Sequence, residues 1–170
     1  MKPLLIFGYG NPGRGDDGLG PAFLDGVERL DLPQVECQTD MQLQVEHVMD
    51  MQGRNMVLFV DADASCDSPF RFSEISAEKD DSYTSHAMTP QALLHAYTNV
   101  FGQQSPAGFL LRIRGERFEL GDELSAVARS NLDKALEQLR PLFTEGDVNV
   151  WRKFASQFLN RIERKKPRSS

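Results

Sequence analysis

Six glycines fall within residues 8–20, in the run Gly8-Tyr9-Gly10-Asn11-Pro12-Gly13-Arg14-Gly15-Asp16-Asp17-Gly18-Leu19-Gly20. An apolar segment, Leu4-Leu5-Ile6-Phe7, precedes it, of the kind that forms a strand buried on both faces of a parallel sheet. After it, Leu19, Ala22, Phe23, Val27 and Leu30 recur at helical spacing. The stretch therefore reads strand, glycine loop, helix. In an open α/β sheet such a loop lies at the carboxyl edge of the strands, where ligands bind.

Gly8, Gly10 and Gly13 match the G-x-G-x-x-G spacing of dinucleotide-binding loops. Charge argues against that function. A pyrophosphate would have to approach a helix start carrying Asp16 and Asp17, and like charges at close range in a partly dry cleft repel strongly. The Walker pattern fails too, because no Gly-Lys-Ser/Thr follows. Two acids at this position suit a cation or a proton. From this stretch alone, a helix cap beside a solvated acid and a metal ligand are equally open readings.

At 170 residues the chain is long enough for one domain with its own core. A mean hydropathy of -0.42 and the absence of any apolar run near 20 residues lead to the expectation of no membrane partner. Because Met1-Lys2-Pro3 runs directly into the first strand, neither leader nor anchor is expected, and the cytoplasm is the expected compartment. Cys37 and Cys66 lack zinc-ligand spacing and are read as reduced, buried thiols. The net charge of -6 argues against a general nucleic-acid binder. The charge is uneven, however: from Val150 onward seven basic residues face one acid, Glu163.

Residues Gln34–Thr39 predict a second strand of modest hydrophobicity, near a sheet edge, with Asp40 at its carboxyl end beside the glycine loop. Leu43, Val45, Val48 and Met49 predict a helix ending near Gly53, with His47 on a solvated face. Asn55–Asp63 is the clearest strand, and Asp61 emerges at its carboxyl edge. The polar stretch from Ala64 to Ser85 is interrupted by Phe70–Ile75, which alternates as a short edge strand. Thr89 and Pro90 read as the N-cap and first position of a helix buried through Pro90, Leu93, Leu94, Tyr97, Val100 and Phe101. His86 precedes it, at the end of a long loop. Gly108–Gly115 predicts another strand, and Leu124, Val127, Ala128, Leu132, Ala135, Leu136 and Leu139 a helix broken at Pro141. The alternation implies a single α/β domain, a three-layer sandwich with a mainly parallel central sheet.

These residues resemble the endopeptidases that mature the large subunit of [NiFe] hydrogenases. The resemblance rests on Gly8-Tyr9-Gly10-Asn11 with Asp16-Asp17-Gly18-Leu19-Gly20, on Val60-Asp61-Ala62, and on Ser85-His86 with Leu93-Leu94 behind it. It extends to Arg114-Gly115-Glu116-Arg117-Phe118-Glu119-Leu120-Gly121 and Leu124-Ser125, covering about residues 4–143. It implies a metal site of Asp17, Asp61 and His86, the same three residues serving catalysis, with Gly10, Asn11 and Asp40 facing the substrate. It implies an aspartyl-type endopeptidase that removes a C-terminal peptide from the large-subunit precursor after nickel insertion, the nickel being supplied by that substrate and no nucleotide being used. Two carboxylates and an imidazole make a mixed oxygen and nitrogen site suited to borderline divalent metals. In that reading Asp17 or Asp61 is the general base. The chain departs from the family in Asp40-Met41-Gln42-Leu43, where a glycine-threonine turn is usual, and in its basic C-terminal segment.

Two rival readings remain at this point. One is a maturation factor that inspects or carries nickel through Asp17, Asp61 and His86 without cutting; the other, resting on the glycine spacing alone, is a nucleotide-binding oxidoreductase. The chain divides into residues 1–148, the α/β protease domain, and 149–170, a basic helix and tail. Trp151, Phe154, Ala155, Phe158, Leu159 and Ile162 give that helix an apolar side expected to pack onto the domain.

Overall fold

The computed structural model describes residues 1–79 and 88–165, the side chains of 160–165 excepted. Strands β1 (Leu4–Tyr9), β2 (Val35–Asp40), β3 (Met56–Asp63), β4 (Phe70–Ile75) and β5 (Ala107–Arg114) form one sheet in the order β2-β1-β3-β5-β4. All neighbours pair in parallel except β4 with β5, which is antiparallel and closes one edge. The other edge is β2, in keeping with its modest hydrophobicity. Helices α1 (Leu19–Glu28), α4 (Ala126–Phe143) and α5 (Val148–Lys165) share one side of the sheet. The short α2 (Val48–Met51) and α3 (Pro90–Phe101) share the other. The result is the three-layer α/β sandwich expected from the alternation of elements.

Strand alternation sorts the core. Leu4 and Ile6 of β1, with Leu58 and Val60 of β3, face α1 and α4, while Leu5, Phe7, Val57 and Phe59 face α2 and α3. Trp151 of α5 is fully buried against Phe72 and Phe109, and Phe158 reaches Phe70. The Trp151 indole N–H donates to the carbonyl oxygens of Leu142 and Glu145, closing the turn between α4 and α5. Leu159 lies outside this packing and is exposed.

Several local expectations change in the folded chain. Helix α4 runs through Pro141 to Phe143, because a proline near a helix's last turn removes only one hydrogen bond. Val100 and Val127 are exposed, and Leu124 lies ahead of α4 rather than in it. The predicted helix after β2 is reduced to a 3-10 turn at Val45–His47 followed by the single turn of α2, leaving Val45 and Met49 exposed beside Met41 on the lip of β2. The Thr89 cap forms as expected, its hydroxyl accepting from Ala92 N at 3.0 Å.

The glycines of the loop serve packing. Gly10 has φ 135, and a Cβ there would fall 2.0 Å from the Asp17 carbonyl oxygen. A Cβ at Gly20 would collide with the carbonyl oxygens of Tyr9 and Val60 at 2.6 and 2.7 Å. The start of α1 thus lies directly against β1 and β3, and only glycine permits that approach.

Candidate active site at the carboxyl edge of the sheet

The glycine loop leaves β1, turns through Pro12 and Gly13, and enters a 3-10 turn at Gly15–Gly18 that carries both acids. Their surroundings separate them. Asp16 is fully buried. Its carboxylate accepts from the backbone N–H groups of Glu116 (2.8 Å), Arg117 (3.0 Å) and Ser125 (2.7 Å), and from the Ser125 hydroxyl (2.8 Å). Burial by itself would raise its pKa; the hydrogen bonds from Glu116, Ser125 and Arg117 outweigh burial and hold it below the usual carboxylate value. Asp16 does not cap the helix that follows, since α1 has no side-chain cap. It clamps the glycine loop to the β5–α4 connection, which is the physical content of the second sequence motif, residues 114–125.

Asp17 is half-buried and, among the described residues, is anchored by one bond, Asn11 N donating to Oδ2 at 2.7 Å. The Asn11 side chain accepts from Gly13 N at 2.8 Å and so closes the turn. Gly10 N donates to the Asp40 carbonyl at 3.1 Å, tying the loop to the end of β2. The substrate-facing candidates Gly10, Asn11 and Asp40 therefore form one connected rim.

Asp61 leaves β3 on the α2–α3 face. Its pKa is raised to about 6, first by burial, with the charges of Asp17 and Asp63 adding to the shift. Tyr9 packs on the same side; its pKa is raised well above the usual phenol value, first by burial and then by the charge of Asp61. Asp17 and Asp61 are thus close enough to interact electrostatically, and the one with the raised pKa is the one beside the tyrosine.

His86 lies outside the described residues. The chain resumes at Met88, whose N–H donates to Leu43 O at 3.3 Å on the lip after β2. Among the described residues no three His, Cys, Asp or Glu side chains converge to hold a metal ion. Asp17 and Asp61 supply two oxygen donors of the kind borderline divalent metals accept, and a third donor from another segment would complete a partial set.

His47 departs from the sequence expectation. Its side chain is only 12% exposed, its ring lies edge-on to Phe7 at 5.2 Å, and its Nδ1 accepts from Gln44 N at 2.9 Å. That leaves Nε2 to donate to Asp40 Oδ2 at 3.1 Å. The ring of a residue on the 3-10 turn after β2, pressed on Phe7, makes a tertiary contact, and polar sequence neighbours hid it. Cys37 and Cys66 are free, their thiols pushed up to about 12 and about 11, chiefly by burial, so neither is a nucleophile.

This β2-β1-β3-β5-β4 sheet with helices on both sides is a fold shared with solved structures of hydrogenase maturation proteases. The solved structures that share it include the [NiFe] hydrogenase maturation protease HycI of Thermococcus kodakarensis, at TM-score 0.63 and 18% identity over 85% of this chain and 94% of that one. The endopeptidase HybD of E. coli matches with TM-score 0.62 and 21% identity over 85% and 93% of the two chains. The hydrogenase 2 maturation peptidase of a Thaumarchaeota archaeon matches with TM-score 0.60 and 22% identity over 83% and 98%. No family model and no curated protein matches the chain.

Proposed function

We propose that this protein is an endopeptidase that removes the C-terminal peptide of a [NiFe] hydrogenase large-subunit precursor after nickel insertion, with Asp17, Asp61 and His86 as the residues that meet the metal. The observation that carries the reading is the pair of interacting carboxylates at the carboxyl edge, Asp61 with a pKa raised to about 6, on the fold of proteins described as hydrogenase maturation proteases.

The nickel belongs to the substrate. Asp17 is held by Asn11 N through Oδ2, and its Oδ1 has no hydrogen bond among the described residues and can reach the incoming precursor. Asp61, beside Tyr9 and with its pKa raised to about 6, is suited to take a proton from a water attacking the scissile carbonyl and to return it to the leaving amine. The rim of Gly10, Asn11 and Asp40, with exposed Met41, Val45 and Met49 beside it, offers the extended precursor peptide a polar edge next to an apolar lip.

Incubation with nickel-loaded precursor, followed by mass spectrometry of the large subunit, tests this. The expected result is a shortened subunit from the wild-type enzyme, an unchanged one from Asp17→Asn, Asp61→Asn and His86→Gln, and no cleavage of metal-free precursor. Processing is expected to fall as pH drops through the histidine range, because a protonated imidazole cannot ligate. An unshortened nickel-loaded subunit would refute the protease and favour a factor that only inspects the metal.

A further inference from the structure

Asp61 has Arg112 of β5 as its direct register partner, and Arg112 has Arg71 of β4. Paired residues on adjacent strands project from the same sheet face. Phe109, Leu111 and Ile113 of β5 and Phe70 and Phe72 of β4 face α4 and α5, so Arg112 and Arg71 stand on the opposite face, in a row with Asp61. Two guanidinium groups side by side repel unless anions neutralise them. Arg112 Nη1 donates to Asp63 Oδ2 at 3.1 Å, which balances one charge. Arg71, half-buried, has no ion-pair partner among the described residues.

Arg112 carries a second signal. Its Nε is fully buried and makes no hydrogen bond among the described residues, although the side chain as a whole is 35% exposed. With Nη1 committed to Asp63 and Nε enclosed, Nη2 is the donor left on the exposed part of the side chain, and a carboxylate is the acceptor that matches its charge. The group that suits this row is an anion, reaching it one strand away from Asp61.

We propose that Arg112, supported by Arg71, is a carboxylate-binding subsite that receives an anionic group of the precursor's C-terminal peptide and so sets the position of that peptide relative to Asp61. The proposal rests on the protease reading for the identity of the peptide, but not for the binding itself. The carboxylate comes either from an acidic side chain of the peptide or from its C-terminal end, and the chemistry at Arg112 is the same.

Fluorescence anisotropy with a labelled synthetic peptide spanning the precursor's C-terminal extension reads the subsite without requiring cleavage. For the wild-type protein, replacing the bound carboxylate by an amide is expected to weaken binding at least tenfold. One peptide set amidates each acidic side chain and another only the C-terminus, so the sensitive position names the source. Arg112→Gln is expected to lose the same factor with the acidic peptide and to be indifferent to amidation; Arg112→Lys should recover only part of it. Arg71→Gln, which breaks no described contact, should weaken the acidic peptide by a smaller, salt-sensitive factor. In processing assays the effect should appear in KM with kcat preserved. Unchanged affinity in Arg112→Gln, equal losses for acidic and amide peptides, or a lowered melting temperature with no change in binding would each overturn the subsite. Amide-sensitive binding through Arg112 in a protein that leaves the precursor uncut would refute the protease and retain the subsite.

Discussion

Replacing Asp16 tests the division of labour between the two adjacent acids. The substitution Asp16→Ala removes a fully buried carboxylate that accepts four hydrogen bonds. The donors on Glu116 and Arg117 belong to exposed residues and regain water when the acceptor is lost. Ser125 is buried, and its N–H and hydroxyl do not. Two stranded donors at about 1–3 kcal/mol each, plus the charged character of the lost bonds, give a destabilisation of roughly 3–6 kcal/mol. Against a total stability on the order of 5–15 kcal/mol that leaves a marginal protein. Asp16→Asn keeps the volume but turns an amide N–H₂ toward backbone donors, so it should cost about 2–4 kcal/mol. Asp17→Ala loses one hydrogen bond on a half-buried residue and should cost about 1 kcal/mol.

Urea unfolding followed by circular dichroism measures all three. Because the folded pKa of Asp16 lies below its ordinary value, its contribution is fully present above about pH 4 and is lost as pH falls through the folded value. The gap between wild type and Asp16→Ala should therefore be constant from pH 5 to 8 and narrow only in stronger acid. A gap under about 0.5 kcal/mol, the range of ordinary surface substitutions, would refute the clamp and return Asp16 to the role of a solvated cap.

Asp61 gives the opposite pH dependence. Its folded pKa of about 6 exceeds the ordinary 3.8, so its contribution favours folding at low pH and is lost as pH rises through 6. Asp61→Asn should stabilise the metal-free protein at pH 7.5 by up to about 3 kcal/mol, with the gain vanishing near pH 4; equal melting temperatures at both pH values would contradict it. Trp151→Ala should destabilise by about 3–5 kcal/mol, and truncation after Asn149 should prevent stable folding, both read by thermal melts. Native protein at pH 8 should resist iodoacetamide at Cys37 and Cys66 until unfolded, and mass spectrometry of the alkylated chain detects any exception.

The amino-acid sequence by itself determined what local composition and periodicity control. The four-residue apolar run before Gly8 and the one ending at Asp61 can satisfy their backbone and bury their side chains only as central strands, and β1 and β3 are adjacent at the centre of the sheet. Residues Gln34–Thr39, half polar, belong at an edge, and β2 is one. Thr89-Pro90 starts a helix through its own cap chemistry. Asp17 and Asp61 were legible as site candidates because one lies in the glycine loop that follows such a strand and the other near the carboxyl end of one.

Only the tertiary structure decided the rest, because the partners lie far apart in the chain. Asp16 and Asp17 are adjacent and chemically identical, and what separates them is Ser125, 109 residues beyond Asp16. His47 is drawn inside by the ring of Phe7 on a strand that precedes it by 40 residues, against the polarity of its own neighbours. Arg112 stands beside Asp61 through strand register, which no local spacing encodes. Backbone propensity and hydrophobic period act over a few residues. The environment that turns one carboxylate into a clamp and raises the pKa of another is assembled from strand ends and loops that meet only in the folded sheet.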